Sequence, residues 1–120
     1  MQLELFKSAE GHTIIETEEW KDLAQFPRYE VSNMGRFRRR IDGKIAKGSP
    51  AFNGYIHIGL RKDGRQITKL AHRLVAETWL LKPSPSHSDV NHKNKVRNDN
   101  RVSNLEWSTR SHNARHAKAK

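Results

Sequence analysis

Residues 91 to 113 read NHKNKVRNDNRVSNLEWSTRSHN, with six asparagines and two histidines in one stretch. A buried asparagine amide needs both its donors and its acceptor bonded, so no simple apolar core accounts for this density. The stretch is an exposed loop or a set of side chains committed to loop pinning and ligation. Val90-Asn91-His92 reads as a strand end, where Asn91 and His92 leave on opposite faces of the pleat. One can then face a metal and the other a substrate. Leu105-Glu106-Trp107 follows, and then a final helix that Ser108 or Thr109 can cap by accepting from its exposed first-turn amides. In that helix Asn113 and His116 stand three apart and share a face. A strand Asn, a helix Asn and an optional His can hold one hard divalent cation and leave positions open for phosphate oxygens and water.

Upstream of this stretch the apolar pattern alternates with turns. Residues 70 to 81 have helical spacing, Leu74 with Thr78 and Val75 with Trp79, ended by Lys82-Pro83-Ser84-Pro85. Tyr55-Ile56-His57-Ile58-Gly59-Leu60 is a strand with Ile56, Ile58 and Leu60 on one face. It turns at Lys62-Asp63-Gly64-Arg65 and returns over residues 66 to 69. Tyr29-Glu30-Val31-Ser32 and residues 36 to 41 form a hairpin through Asn33-Met34-Gly35. Alternation puts Arg36, Arg38 and Arg40 on one face and Phe37, Arg39 and Ile41 on the other, so one side is a row of guanidiniums able to follow a phosphate backbone. Residues 18 to 26 read as a short helical turn with Trp20 and Leu23 on one side, stopped by Pro27. Trp20, Trp79 and Trp107 are assigned to the core.

The chain has 120 residues, one domain's worth, with 34% hydrophobic and 30% charged residues and a mean hydropathy of -0.92. Its apolar material supports only a thin core. With no cysteine, disulfides, thiolate nucleophiles and Cys-based zinc sites are excluded, and any metal must sit on His, Asp, Glu or Asn. No apolar run reaches the length of a membrane span and the N-terminus lacks signal-peptide features, so a soluble, cytoplasmic protein is expected. The net charge is +10, but residues 1 to 30 carry a net of -4 and residues 31 to 120 a net of +14. Such a surface suits a polyanion, nucleic acid first, because each neutralised phosphate releases a condensed counterion. An anionic membrane would call for a long basic amphipathic helix, which the sequence does not show.

Four separated motifs in order carry a resemblance: Ala71-His72-Arg73-Leu74-Val75-Ala76, Val90-Asn91-His92, Asn104-Leu105-Glu106-Trp107, and Asn113-Ala114-Arg115-His116. Together they closely resemble the HNH endonucleases of phage and intron-encoded type. Glu19-Trp20-Lys21 through Tyr29 to Arg36 is similar to the N-terminal module that often precedes this cassette in homing endonucleases. The resemblance covers roughly residues 18 to 117, and four motifs in order arise by chance far less readily than one. It implies an α+β protein: an N-terminal segment (1–17), a small β-rich DNA-binding module (18–54), and an HNH nuclease domain (55–120) with a ββα-metal motif at 88–118. By resemblance, His92 matches the general base, Asn91 and Asn113 the metal ligands with His116 as an extra one, and Asn104 the middle Asn that fixes the loop and orients the base. The implied cofactor is one divalent ion, Mg2+ or Mn2+ before Zn2+ or Ni2+. The implied partner is double-stranded DNA, cut by a monomer or weak homodimer. Many relatives carry Asp where this chain has Asn91, and a neutral amide attracts a cation less than a carboxylate does.

Arg36, Arg38 and Arg40 on the hairpin, Arg73 on the helix, and Arg97 and Arg101 in the asparagine-rich loop are the candidate DNA contacts. His72 reads as a packing or loop-bridging residue at the helix start rather than a catalyst. A non-cleaving DNA-binding module derived from such a nuclease is the alternative function. RNA binding is disfavoured because the exposed aromatic pairs that stack unpaired bases are missing.

Overall fold

The computed structural model describes residues 2–7 and 13–111. Strands β1 (Gln2–Lys7) and β2 (Thr13–Glu18) pair antiparallel. A second sheet runs in the order β3 (Trp20–Leu23), β4 (Phe26–Ser32), β5 (Phe37–Arg39), β6 (Ile45–Ala46), and a third in the order β7 (Ser49–Pro50), β8 (Ile56–Lys62), β9 (Arg65–Leu70). Helix α1 (Ala71–Trp79) follows, and β10 (Asp89–His92) pairs antiparallel with β11 (Leu105–Ser108). The architecture is α+β, with antiparallel sheets around one helix among the described residues. The chain turns helical again at Arg110 and Ser111, and the expected final helix with Asn113 and His116 lies outside the described residues.

Residues 18 to 26 are not a helical turn. Trp20–Leu23 pairs with β4, Trp20 opposite Ser32 and Asp22 opposite Glu30, and Ala24-Gln25 make the hairpin turn. Leu23 and Phe26 are both buried by the strand pair, whereas a helical turn of this length has too few hydrogen bonds to offset its nucleation cost. Trp20 also departs from its core assignment. Its half-buried ring lies on the outer face of the sheet, with the Arg38 guanidinium 3.9 Å and the Arg36 guanidinium 5.7 Å from its centroid. Trp79 and Trp107 do pack against the core, and their indole N–H groups donate to the carbonyls of Val31 and Leu80.

The core gathers Leu23, Val31 and Phe37 from the second sheet, Ile58 and Leu60 from the third, Leu74 and Val75 from α1, and Val90 and Leu105 from the β10–β11 pair. Helix α1 is the common support against which all three of these groups pack. Ile41 does not share the face of buried Phe37 as alternation would have it: β5 stops at Arg39, so alternation no longer governs it, and it is 93% exposed. The three arginines of the row do share one face, but they are not bare. Acidic side chains from the net-negative N-terminal part cross the sheet to meet them: Arg36 pairs with buried Glu18, Arg38 with Glu30 at 2.8 Å, and Arg40 with Asp22 at 3.4 Å. The outer face of this sheet is therefore a lattice of compensated charge, not a bare row of guanidiniums. No helix among the described residues is long and apolar enough to cross a membrane.

Candidate active site

The stretch between β10 and β11 is held by its own asparagines. Asn104, closing a single 3-10 turn (Val102–Asn104), reaches back across the loop. Its Oδ1 accepts from the Asn94 amide N–H at 3.1 Å, and its Nδ2 donates to Asn94 Oδ1 and to the Asp99 carbonyl, both at 2.9 Å. Asn94 Oδ1 also accepts from the Val96 amide, and Asp99 takes the Arg101 guanidinium in a two-pronged pair at 2.7 and 2.6 Å. Amide side chains suit this work because each can satisfy a backbone donor and a backbone acceptor at once. The loop's irregular backbone is thereby bonded without sheet or helix.

This pinned loop delivers Asn100 to His92. Asn100 Oδ1 lies 2.7 Å from His92 Nε2, and both side chains are buried. A carbonyl-type oxygen only accepts, so the neutral imidazole carries its hydrogen on Nε2 and donates it to Asn100. The basic lone pair is then on Nδ1. His92 leaves β10 toward α1, where its ring stands 5.0 Å from that of His72 and 5.9 Å from Tyr55. Tyr55 stacks on His72 at 4.9 Å and lies under the Arg97 guanidinium at 4.8 Å. Arg97 is itself anchored, donating to the Asn53 carbonyl at 2.7 Å.

Both imidazoles are kept neutral by their surroundings. Burial pushes the His72 pKa down to about 4, helped by the positive charge that His92, Arg73 and His57 would present to it. Burial also lowers the pKa of His92, with Arg97 adding to the effect, while the Asn100 hydrogen bond and the charge of Asp99 oppose it. His72 Nδ1 is buried and has no hydrogen-bond partner. Such an atom costs roughly 1 to 3 kcal/mol unless something compensates. His72, at the start of α1, packs its ring as one wall of the pocket around His92.

Asn91 leaves β10 in a different direction. It faces Glu106 across the ladder, and its Nδ2 donates to Glu106 Oε1 at 3.0 Å. Its amide oxygen is a hard, neutral donor of the kind Mg2+ and Mn2+ accept, and a carboxylate stands beside it. Among the described residues no group of three or more His, Cys, Asp and Glu side chains could hold a metal by themselves. The donors present, the Asn91 amide oxygen beside the Glu106 carboxylate, are of the chemistry that a hard divalent cation accepts.

The candidate DNA contacts divide in two. Arg36, Arg38 and Arg40 are engaged with Glu18, Glu30 and Asp22, and Arg101 with Asp99. Arg73 donates to the Ser88 carbonyl at 2.9 Å and lies over Trp107. Arg97 stands beside the His92 pocket with its guanidinium over the Tyr55 ring. Asn100, Tyr55, Asn94 and Glu106 carry the geometry of the site and were not singled out from sequence. The asparagine density pointed to Asn94 and Asn100 as a class but could not say which one meets the imidazole.

Comparison with known proteins fits this geometry. Residues 18–61 match the NUMOD4 motif and residues 69–115 match the HNH endonuclease family. The chain thus joins a NUMOD4 motif to an HNH endonuclease domain. Over 98 residues it is 41% identical to an uncharacterized HNH endonuclease of Acanthamoeba polyphaga mimivirus, covering 82% of this chain and 29% of that relative. Over 92 residues it is 36% identical to the DNA endonuclease I-HmuI of Bacillus phage SP01, covering 76% of this chain and 52% of that one. A solved structure, "DNA binding and cleavage by the HNH homing endonuclease I-HmuI", superposes with a TM-score of 0.76 at 33% identity, over 84% of this chain and 58% of that chain. The chain therefore spans only about a quarter to about a half of the length of the curated relatives it matches.

Proposed function

We propose that this chain is a metal-dependent DNA endonuclease that hydrolyses phosphodiester bonds, of the nicking or homing type, acting on double-stranded DNA in the cytoplasm of a phage-infected or bacterial cell. The observation that carries the proposal is the His92–Asn100 hydrogen bond, which presents an unprotonated Nδ1 within the HNH-matched segment. A neutral imidazole with its lone pair fixed in direction is suited to take the proton from an attacking water. Asn104 and Asn94 hold the loop that holds Asn100, so Asn104 acts by positioning the base. Asn91 would hold the cation by its amide oxygen, together with Asn113 and, as an extra ligand, His116. When bound, Mg2+ or Mn2+ would offset the charge that builds on the phosphorane-like transition state and on the departing 3′ oxygen. The products are a 5′ phosphate and a 3′ hydroxyl. Arg97, with Arg73 and Arg101, grips phosphates near the cut, and residues 18 to 54 add the basic hairpin as a second contact with the duplex. One such site per chain makes a monomer a nicking enzyme.

Supercoiled plasmid incubated with the chain across Mg2+, Mn2+, Ni2+ and Zn2+ tests the proposal. Conversion to the open-circular form that EDTA abolishes is expected, and His92→Ala should slow it by about 10² to 10⁴. The opposing reading, a non-cleaving DNA binder, draws on the neutral Asn91 where many relatives carry Asp. A mobility shift with no cleavage under any of the four metals would establish it.

A further inference from the structure

Asn91 and Glu106 are directly opposed in the β10–β11 register, and the contact between them is unsymmetrical. An amide side chain can be turned end for end, with nearly equal shape and opposite polarity. A carboxylate can only accept, so it bonds the amide through its nitrogen and turns the oxygen the other way. Asn91 is 6% exposed and sits between buried Val90 and His92, which leaves it little room to satisfy itself otherwise.

We infer that Glu106 is a positioning residue for the metal site: by accepting from Asn91 Nδ2 it fixes the amide so that Oδ1 is offered to the cation, and it supplies beside that oxygen the negative charge that residue 91 lacks. The inference rests on the proposed role of Asn91 as a ligand and extends it to a partner on the neighbouring strand. It explains how a neutral ligand can serve there. Free rotation would present oxygen only part of the time, whereas a fixed amide presents it always, and outer partners of this kind commonly set ligand orientation.

The arrangement has a consequence for the obvious repair. Asn91→Asp would set two carboxylates face to face at hydrogen-bond distance and should not by itself improve cation binding. Pairing it with Glu106→Gln gives the new carboxylate an amide donor, and this double variant should bind better than Asn91→Asp alone.

Two measurements on the whole chain test this. In the first, the side-chain NH2 protons of Asn91 are followed by NMR, assigned by their loss in Asn91→Asp. In the native chain one of the two should be shifted downfield and slow to exchange. In Glu106→Ala both should move to ordinary positions while the backbone spectrum of β10 and β11 is kept. In the second, Mn2+ affinity is read from the free-ion EPR signal in the presence of duplex DNA. Glu106→Ala should weaken it by about 10- to 100-fold, and the Asn91→Asp/Glu106→Gln pair should exceed Asn91→Asp by about tenfold. Unchanged NH2 resonances in Glu106→Ala would overturn the inference. So would native Mn2+ affinity in Glu106→Ala when Asn91→Ala has lost it, in which case Asn91 stands as a ligand without its partner. If Asn91→Ala also binds Mn2+ as the native chain does, the ligand assignment itself falls and takes the inference with it.

Discussion

His72 is the residue whose burial asks most of the molecule. An ordinary imidazole titrates near 6.5, while this one is held to about 4 by burial and by the positive charge of His92, Arg73 and His57. The unfolded chain therefore binds a proton that the folded chain refuses between those two values. Stability must fall as pH drops through that window and change no further from this group below pH about 4. The loss amounts to roughly 3 kcal/mol. Chemical denaturation at pH 7 and at pH 4.5 should show it, and His72→Phe should remove most of the difference while leaving stability at pH 7 within about 1 kcal/mol, since the orphaned Nδ1 goes with it. His92 is lowered in the same direction, so the acid limb of the cleavage rate should lie below pH 6.5. A limb above that value would contradict a buried base whose Nδ1 is free.

At the scale of elements, the setting of His92 depends on two turns that meet. The loop between β10 and β11 is closed by Asn104. Asn104→Ala removes three side-chain hydrogen bonds and should cost about 2 to 4 kcal/mol, with amide exchange in residues 93 to 100 rising before the core strands open. The hairpin turn at Asn33-Met34-Gly35 docks on the same loop: the Asn33 carbonyl accepts from the Val102 amide at 2.8 Å, and Gly35 sits against the Asn100 backbone. Gly35 has φ +82°, and a Cβ there would stand 2.6 Å from the Asn100 carbonyl oxygen. Gly35→Ala should thus destabilise by about 1 to 3 kcal/mol and also displace Asn100 from His92. The His92 resonance titration by NMR would shift with it, which a fault confined to the N-terminal hairpin would not produce. The part of the chain that matches the NUMOD4 motif is in this sense a support for the loop that meets His92.

Over the whole molecule, charge governs association. With a net of +14 over residues 31 to 120, DNA binding should weaken linearly in log-log plots against salt, with a slope of about -0.9 for each phosphate contacted. Arg97→Ala should reduce that slope by about 1, because its guanidinium is held by a carbonyl and an aromatic face and pairs with no carboxylate among the described residues. Arg38→Ala should move it less, since Glu30 already compensates that charge in the free protein. Fluorescence anisotropy with a short duplex between 50 and 300 mM salt, roughly the range where counterion release dominates, separates the two variants.

The strands at Ile58–Leu60 and Val90–His92, helix α1 and the hairpin through Asn33-Met34-Gly35 were legible in the residues because periodicity and turn chemistry are local. The basic character of residues 31 to 120 was legible for the same reason, since composition needs no coordinates. The short β3 strand was not, because Trp20 and Leu23 have spacing compatible with either state and only pairing with β4 decides between them. Nor could the sequence show that Glu18, Glu30 and Asp22 neutralise the arginine row, that Asn100 rather than another asparagine holds His92, or that Tyr55 and His72 wall its pocket. Those facts depend on contacts between residues far apart in the chain, such as Asn53 with Arg97 and Glu18 with Arg36. Chain neighbours carry no record of such distances, and folding alone brings these groups together.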